Sequence, residues 1–528
     1  LERKKMVVNW CPRCETALAD AEVEYSERED PSIYVKLPVE GRSGEYILIW
    51  TTTPWTLPAN VAVMVHPEEI YARVRVGDEI YILAEARCKP VFEEELKLGY
   101  EVVDTFPGSK LEGLKYKPPL FDEVPIQREV KDAHIVVLSR EYVSVDEGTG
   151  CVHAAPGHGE EDFEVGLRYR LPVLCPVDSR GVFDEEAGRY AGLTVWDANQ
   201  VIIEDLKRKG LLLHASTVKH RYPHCWRCRS RLIVRATKQW VLKITAIKRR
   251  LLEENEGILW VPSWAGESRF RSWLEGVRDW VISRQRYWGI PLPIWICRRC
   301  GRRIIIGSKS ELKSKASNVE DLTDLHRPWI DRVEVRCDSC GDVMRRVEDV
   351  VDVWMDSGVA SWACLGYPRS SDEFKRWWPA DFILEGHDQT RGWFYSQLAS
   401  SIVAFNSAPY KAVLMHGFTL DETGREMHKS WGNFVAPEEV IERYGRDTLR
   451  FYELQFTPWE DLRFSWRGVE EAYRILNLIW NLYLFASLYM NLDRFQPSKY
   501  RLEELRSRLK EEGVVVITLR EDSVWVDR

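Results

Sequence analysis

Eight of the twelve cysteines fall into four Cys-x-x-Cys pairs, Cys11/Cys14, Cys225/Cys228, Cys297/Cys300 and Cys337/Cys340. Thiolates so spaced bind metal, and four of them close a tetrahedral shell, which makes a structural rather than a catalytic site. The opening residues Leu1-Glu2-Arg3-Lys4-Lys5 do not read as a secretory signal, so metal ligation is preferred to disulfides. Four pairs can combine into two sites in three ways. Cys300 and Cys340 are each followed by glycine, so 297/300 with 337/340 reads as a local site, leaving 11/14 with 225/228. A metal joining the latter would clamp the two ends of an inserted domain. His220 and His224 are substitute ligands. A single such pair would read equally as a redox pair.

A second group of chemical residues lies in Leu384-Glu385-Gly386-His387-Asp388-Gln389-Thr390-Arg391-Gly392-Trp393-Phe394-Tyr395. Glu385 and Asp388 can hold an ammonium group, Gln389 can read a polar edge, and Trp393 can wall an apolar pocket. That set suits a free amino acid with an apolar side chain. A capped helix with a solvated loop accounts for the same residues. Two further stretches carry chemistry. Thr51, Thr52 and Thr53 stand beside Pro54 and offer hydroxyls to a water or a substrate oxygen. In Gly148–Phe163, a strand ends in a Gly/Pro turn and opens a helix with acid at its start, as the helix dipole prefers. There Asp162 can bind a cation or cap the helix. Cys151 and His153 share a strand face, which permits a cysteine hydrolase, although no third orienting group is evident. Lastly, Lys429 is central in the glycine-bracketed stretch Asp421–Asn433, where a phosphate clamp and a surface turn are both compatible with the pattern.

The elements that must position these groups follow from periodicity. Phe382-Ile383-Leu384 reads as a buried strand, Trp393 to Phe405 as a helix, and Ala412 to Gly417 as a second strand, which together make a parallel βαβ unit. A strand-to-helix junction in such a sheet is where small ligands bind. Between residues 15 and 224, strand patterns dominate: Tyr46–Trp50, Tyr71–Val76 and Ile80–Leu83, the last two flanking the turn Gly77-Asp78. The expectation there is a β-barrel-like domain with a few helices. Residues 292–349 read as a small zinc-knuckle insertion. Glu470 to Tyr489 reads as an apolar-aromatic helix buried in a bundle, and Val514 to Leu519 as a strand.

At 528 residues the chain requires two to four domains, and 45% hydrophobic with 30% charged residues is a globular composition. No run of about 18 apolar residues occurs, so no membrane span is expected. The net charge of −8 argues against a protein basic throughout. From Lys219 to Arg250, however, there is no Asp or Glu, which suits either a solvated face or a polyanion partner. Arginines interleave with aromatics in Ile282–Pro291, which suits a nucleic-acid end or plain packing.

In this order, the motifs resemble the class I aminoacyl-tRNA synthetases, and within them the isoleucine-specific branch, over roughly residues 1–490. The resemblance implies an α/β fold: a Rossmann-type nucleotide-binding core, here N-terminally incomplete, with an inserted β-barrel-like editing domain, zinc knuckles and a C-terminal helical region. It divides the chain into a core remnant with a knuckle (1–14), the editing domain (15–224), a return to the core (225–291), the knuckle insertion (292–349) and the second half of the nucleotide-binding core (350–420). The lysine loop with connecting helices (421–468) and the start of an anticodon-binding region (469–528) follow.

The implied roles are these. Glu385, Gly386, Asp388 and Gln389 contact the aminoacyl adenylate, as does His416. Trp393 and Trp354 line the isoleucine pocket. Met427-His428-Lys429-Ser430 resembles the family's KMSKS loop, with Met427, Lys429 and Ser430 binding ATP and Lys429 stabilising its phosphates. Glu426 and His428 depart from that pattern. The family's His-x-Gly-His signature has no counterpart, since no two histidines are three apart, and half of the ATP site is expected to be missing. Thr51, Thr52, Thr53, His153 and Asp162 match the editing site, where Asp162 holds the ammonium of a mischarged valine. The implied partners are isoleucine, ATP with Mg²⁺, and tRNA(Ile), with two structural zincs, a monomeric state and a cytoplasmic location. Two further readings differ in class: a chain active only as a valyl-tRNA deacylase, and a non-catalytic zinc-containing tRNA-binding protein. Valine specificity is the rival within the family.

Overall fold

The computed structural model describes residues 1–511 except 317, 320, 321 and 500, so the expected strand at Val514–Leu519 lies outside the described residues. The chain forms two compact units. The first comprises Leu1–Ile258, Gly266–Asp381 and Asp388–Lys411; the second comprises Leu259–Ala265, Phe382–His387 and Ala412–Arg528.

The first unit opens with strands β1 (Glu2–Cys11), β2 (Thr16–Leu18), β3 (Val23–Pro38) and β4 (Glu45–Thr51). Next come β5 (Ala62–Val65), β6 (Ile70–Val76), β7 (Glu79–Ala84) and β8 (Glu101–Pro107). Then follow β9 (Ile135–Leu138), β10 (Cys151–Ala154), helix α1 (Glu160–Tyr169), β11 (Leu212–Cys225) and β12 (Ile233–Leu242). β1 pairs antiparallel with β12 from Glu2↔Val241 to Trp10↔Ile233, and β2 lies on its other side. β3 and β11 form a long antiparallel ribbon from Val23↔Cys225 to Val35↔Leu212, with one register shift between Leu212 and His214. The chain therefore leaves just after the first cysteine pair and returns beside its own departure point at the second.

Between those points lies a nine-stranded sheet in the order β8-β6-β7-β4-β10-β5-β9, with β3 branching from β4 to reach β11. The expected hairpin at Gly77-Asp78 is present, closing on Val76↔Glu79. In place of a closed barrel, the end strands β8 and β9 are not paired with each other among the described residues. Strand alternation gives the body two cores. Ile33, Val35, Leu37, Ile47, Ile49 and Val63 pack on one face. Tyr34, Leu48, Ala72, Val74, Tyr81 and Leu83 pack on the other. Each Val, Leu or Ile side chain among them, fully buried, contributes about 1.5–3 kcal/mol.

In the second unit, β13 (Leu259–Val261), β14 (Ile383–Gly386) and β15 (Ala412–His416) form a parallel sheet with β15 in the middle. The βαβ expectation therefore holds in its pairing, and the crossover carries a helix at Trp393–Phe405. Burial differs from expectation: Phe382 is 55% and Leu384 47% exposed, because β14 is an edge strand of three and, of the apolar run, only Ile383 turns inward. The helix Trp466–Leu492 is also present, but of its residues only Val469 and Ala472 are buried. The expected bundle does not cover it among the described residues. By length and composition alone this helix could cross a membrane, contrary to the expectation from apolar runs. Polar residues recur along it at Arg474, Asn477, Asn481 and Asn491.

The basic run also reads differently in three dimensions. Arg229 pairs with Glu24, Arg231 reaches Asp30 at 3.8 Å, His220 reaches the same carboxylate at 3.0 Å, and Lys243 reaches Glu2 at 3.3 Å. The acids come from β1 and β3, distant in sequence, so part of the run is paired within the fold.

A buried arginine joins the returning chain to the elements beyond it. Arg284, 4% exposed, lies 3.4 Å from Glu22 and 3.2 Å from Asp352, and donates to the carbonyls of Val281 and Ser283. Asp352 also accepts from the Trp280 indole at 2.8 Å and caps the helix Val353–Gly358 through the Trp354 amide at 3.2 Å. Replacing Arg284 by Met would leave the buried Asp352 carboxylate without its cation and Glu22 with Arg286 alone. We expect it to destabilise the chain by about 3–5 kcal/mol, seen as a lowered urea midpoint.

Candidate functional site

Both cysteine clusters form as paired. The sulfurs of Cys11, Cys14, Cys225 and Cys228 lie within 4.8 Å of one another, as do those of Cys297, Cys300, Cys337 and Cys340. Cys11 and Cys228 are 3.4 Å apart, as are Cys297 and Cys340, while Cys300 and Cys337 are 3.6 Å apart. A tetrahedron of thiolates around a metal at about 2.3 Å has edges of about 3.8 Å, so the sulfur sets fit one ion each. The knuckles are shaped by tight turns. Gly301 (φ 74°) and Gly341 (φ 72°) take the left-handed conformation that lets their amides return to Cys297 and Cys337. Hydrogen bonds from neighbours hold the Cys228 thiol down to about 6 against burial, and the Cys297 thiol down to about 7, while burial raises Cys11 and Cys14. His220 and His224 stand outside both sets.

The threonine and histidine residues meet in the nine-stranded body. Thr51 ends β4 and His153 lies on β10, the two strands being parallel neighbours through Val152↔Trp50. Thr53 donates its amide to the Thr51 hydroxyl at 3.1 Å, and the two hydroxyls are 3.3 Å apart. His153 is 8% exposed. Its Nε2 is 2.9 Å from the Thr56 hydroxyl and its Nδ1 2.8 Å from the Asn60 amide nitrogen. Burial lowers its pKa to about 3, so the ring is neutral. Thr52 is half-buried between these groups in sequence. Asp162 sits in the first turn of α1 and accepts the Ala155 amide at 2.8 Å. Desolvation pushes its carboxyl up to about 6 despite that hydrogen bond. Thr56 and Asn60 were visible in the same stretch as the threonines; their role was not, because it depends on strand pairing. Cys151 is buried, its thiol raised by desolvation and turned to the Ile82 carbonyl, which disfavours a nucleophile there.

The residues of the second group divide between the units. In the first unit, Gln389 accepts the Trp393 amide at 2.8 Å and donates to Asp388 at 2.8 Å. Its amide therefore caps a helix, a role its position four residues ahead of Trp393 could have signalled. The Trp393 indole donates to the Ser357 carbonyl at 3.0 Å. A Cβ on Gly392 would come 2.6 Å from Gln389 Oε1 and 3.1 Å from the Trp354 ring. Trp354 and Gly392 line a cavity of about 1220 Å³ with Trp273, Trp280 and Tyr395. The Trp354 indole nitrogen is buried without a hydrogen-bond partner among the described residues.

In the second unit, Glu385 and Gly386 end β14 opposite Met415 and His416 of β15. His416 turns its Nδ1 to the Gly417 carbonyl at 2.7 Å. The lysine loop is stitched together rather than open. Asp421 accepts from Thr423, Arg425 and Asn433, which hold its carboxyl well below the usual range. Asn433 also accepts the His428 amide. Met427 packs against the helical core of this unit. Lys429 and Ser430 lie in a short turn, and the Lys429 ammonium stands 5.3 Å over the Phe434 ring. His428 pairs with Glu426 at 3.3 Å.

If each cysteine set holds one ion, the purified chain carries two equivalents of a thiophilic metal by elemental analysis. Cys228→Ser and Cys337→Ser should each lower this to one, and the double variant to none.

A family model described as tRNA synthetases class I (I, L, M and V) matches residues 1–465. The isoleucine–tRNA ligase of Methanopyrus kandleri is 55% identical over 541 residues, covering 97% of this chain and 50% of that protein. The isoleucine–tRNA ligase of Methanothermobacter marburgensis is 56% identical over 517 residues, covering 98% of this chain and 49% of that protein. The chain thus spans about half the length of the curated relatives it matches. Among solved structures, an Agrobacterium radiobacter K84 agnB2 LeuRS–tRNA–LeuAMS ternary complex is 19% identical with a TM-score of 0.36, covering 92% of this chain and 58% of that one. With its motifs in order and the family model covering most of its length, this chain belongs to the class I tRNA synthetases.

Proposed function

We propose that the chain is the greater part of the catalytic and editing portion of an isoleucine–tRNA ligase, which activates isoleucine with ATP, transfers it to tRNA(Ile) and hydrolyses mischarged valine. The observation that carries this is the 54–56% identity, over nearly the whole chain, to proteins named isoleucine–tRNA ligase. In this reading, Glu385, Gly386, Asp388 and His416 meet the aminoacyl adenylate. Gln389 orients the start of the helix bearing Trp393, and Trp354 and Trp393 wall the isoleucine side chain. Lys429, with Met427 and Ser430, holds ATP, whose phosphates bring Mg²⁺. The Lys429 ammonium has no ion pair among the described residues, which leaves its charge available to phosphate. The two thiol sets suit zinc, which favours four sulfurs in a tetrahedron. A monomer in the cytoplasm completes the reading.

Editing is required because isoleucine and valine differ by one methylene, and isoleucine-specific enzymes of this family discriminate by only about 150-fold in the first step. The neutral His153 and the threonine hydroxyls offer polar groups without a positive charge to repel an ammonium. Asp162 as carboxylate holds the valyl ammonium. Water adds to the ester carbonyl, the bond to the ribose oxygen breaks, and that oxygen takes the proton.

Two outcomes test this. The full-length protein should show ATP–pyrophosphate exchange with isoleucine in preference to valine, and Lys429→Ala should lower it on the order of a hundredfold; equal exchange with valine would sink the assignment. For hydrolysis of valyl-tRNA(Ile) by the present chain, Asp162 must be ionised. With its carboxyl raised to about 6, kcat/KM should climb as pH rises through about 6 and level off above. Asp162→Asn should remove that rise and cost roughly tenfold to a hundredfold at pH 7.

A further inference from the structure

Behind the threonine segment runs a buried chain of hydrogen bonds that begins far away in sequence. Tyr116 is fully buried, and its hydroxyl lies 2.6 Å from Asn60 Oδ1. Asn60, also fully buried, places Nδ2 3.0 Å from the Ala62 carbonyl and 2.8 Å from His153 Nδ1. A carbonyl can only accept, so the amide must present its NH₂ to Ala62 and hence also to His153. His153 Nδ1 is therefore an acceptor, and the ring proton sits on Nε2. The far end agrees. Thr56 Oγ1 donates to the Thr53 carbonyl at 2.9 Å, which leaves its lone pair for the Nε2 proton at 2.9 Å. Every donor in the chain points the same way, from Tyr116 through Asn60 and His153 to Thr56 and Thr53.

We infer that Tyr116 is a positioning residue for the hydrolytic pocket: its hydroxyl locks the Asn60 amide, which holds His153 as the Nε2–H tautomer aimed at the threonine segment. This rests on the deacylation reading for its consequence, but not for its geometry. With both ring nitrogens engaged, His153 serves as a fixed donor and wall and takes no proton from water. Removing the Tyr116 hydroxyl leaves Asn60 Oδ1 buried without a donor and the Ala62 carbonyl alone to hold the amide, so the amide and the imidazole are held less firmly in their orientation. In Asn60→Asp the carboxylate can only accept, and His153 must turn its proton to Nδ1.

The test uses the 528-residue chain labelled with ¹⁵N-histidine, the His153 signals being assigned by their loss in His153→Gln. We expect an Nε2–H pattern for His153 in the wild type at pH 7, a mixed pattern in Tyr116→Phe and an Nδ1–H pattern in Asn60→Asp. In parallel, Tyr116→Phe should lower kcat for valyl-tRNA hydrolysis on the order of tenfold. An Nδ1–H pattern in the wild type overturns the inference, and so does an unchanged pattern in Asn60→Asp. For Tyr116→Phe, an unchanged pattern or an unchanged hydrolysis rate overturns the role of Tyr116. If the wild type hydrolyses no mischarged tRNA, the deacylation reading falls, and the ring-nitrogen signals alone then decide whether Tyr116 sets the tautomer.

Discussion

The closure of Val23 onto Cys225 is the constraint on which the first unit depends. About two hundred residues lie between them, and bringing the ends of so long a segment together costs roughly 5 kcal/mol in chain entropy. Two devices offset that cost at the same place. The β3/β11 ribbon pairs backbone groups along its whole length, and the Cys11/Cys14 and Cys225/Cys228 sulfurs meet just beyond its end. A metal in that set would bind the folded arrangement and not the open chain, so its binding energy would act directly as folding energy. The β1/β12 pairing continues from the same point, so the core strands inherit their register from the joint.

Chemistry carried by local spacing was legible in the sequence. Cysteines three apart, a glycine after each knuckle of the second cluster, and the turn at Gly77-Asp78 all impose structure within a few residues, and the structure follows them. The helix Trp393–Phe405 was readable for the same reason. What escaped was set by long-range neighbours. Leu384 reads as buried in an apolar run, yet its strand lies at a sheet edge. Among the cations after Lys219, Arg229, Arg231 and Lys243 meet acids from β1 and β3, which the run itself does not signal. Tyr116 carried no signal at all, since nothing within its own stretch marks a tyrosine whose hydroxyl will meet Asn60.

The lysine loop illustrates a different division of labour. Its departures from the family pattern, Glu426 and His428, pair with each other, while Asp421 and Asn433 bind its backbone. The loop's shape is thus held by residues outside the four-residue motif. Lys429 is left with an aromatic ring under its ammonium, a contact that orients the cation without neutralising it.

Gly392 limits how the cavity wall can change over time. Its missing side chain lets the backbone lie against both the Gln389 amide and the Trp354 ring. Any larger residue there would displace a helix cap and an indole at once, two losses for a single substitution. At this point of the wall the space can widen through the tryptophans, but the main chain at residue 392 leaves no room for a side chain that would narrow it.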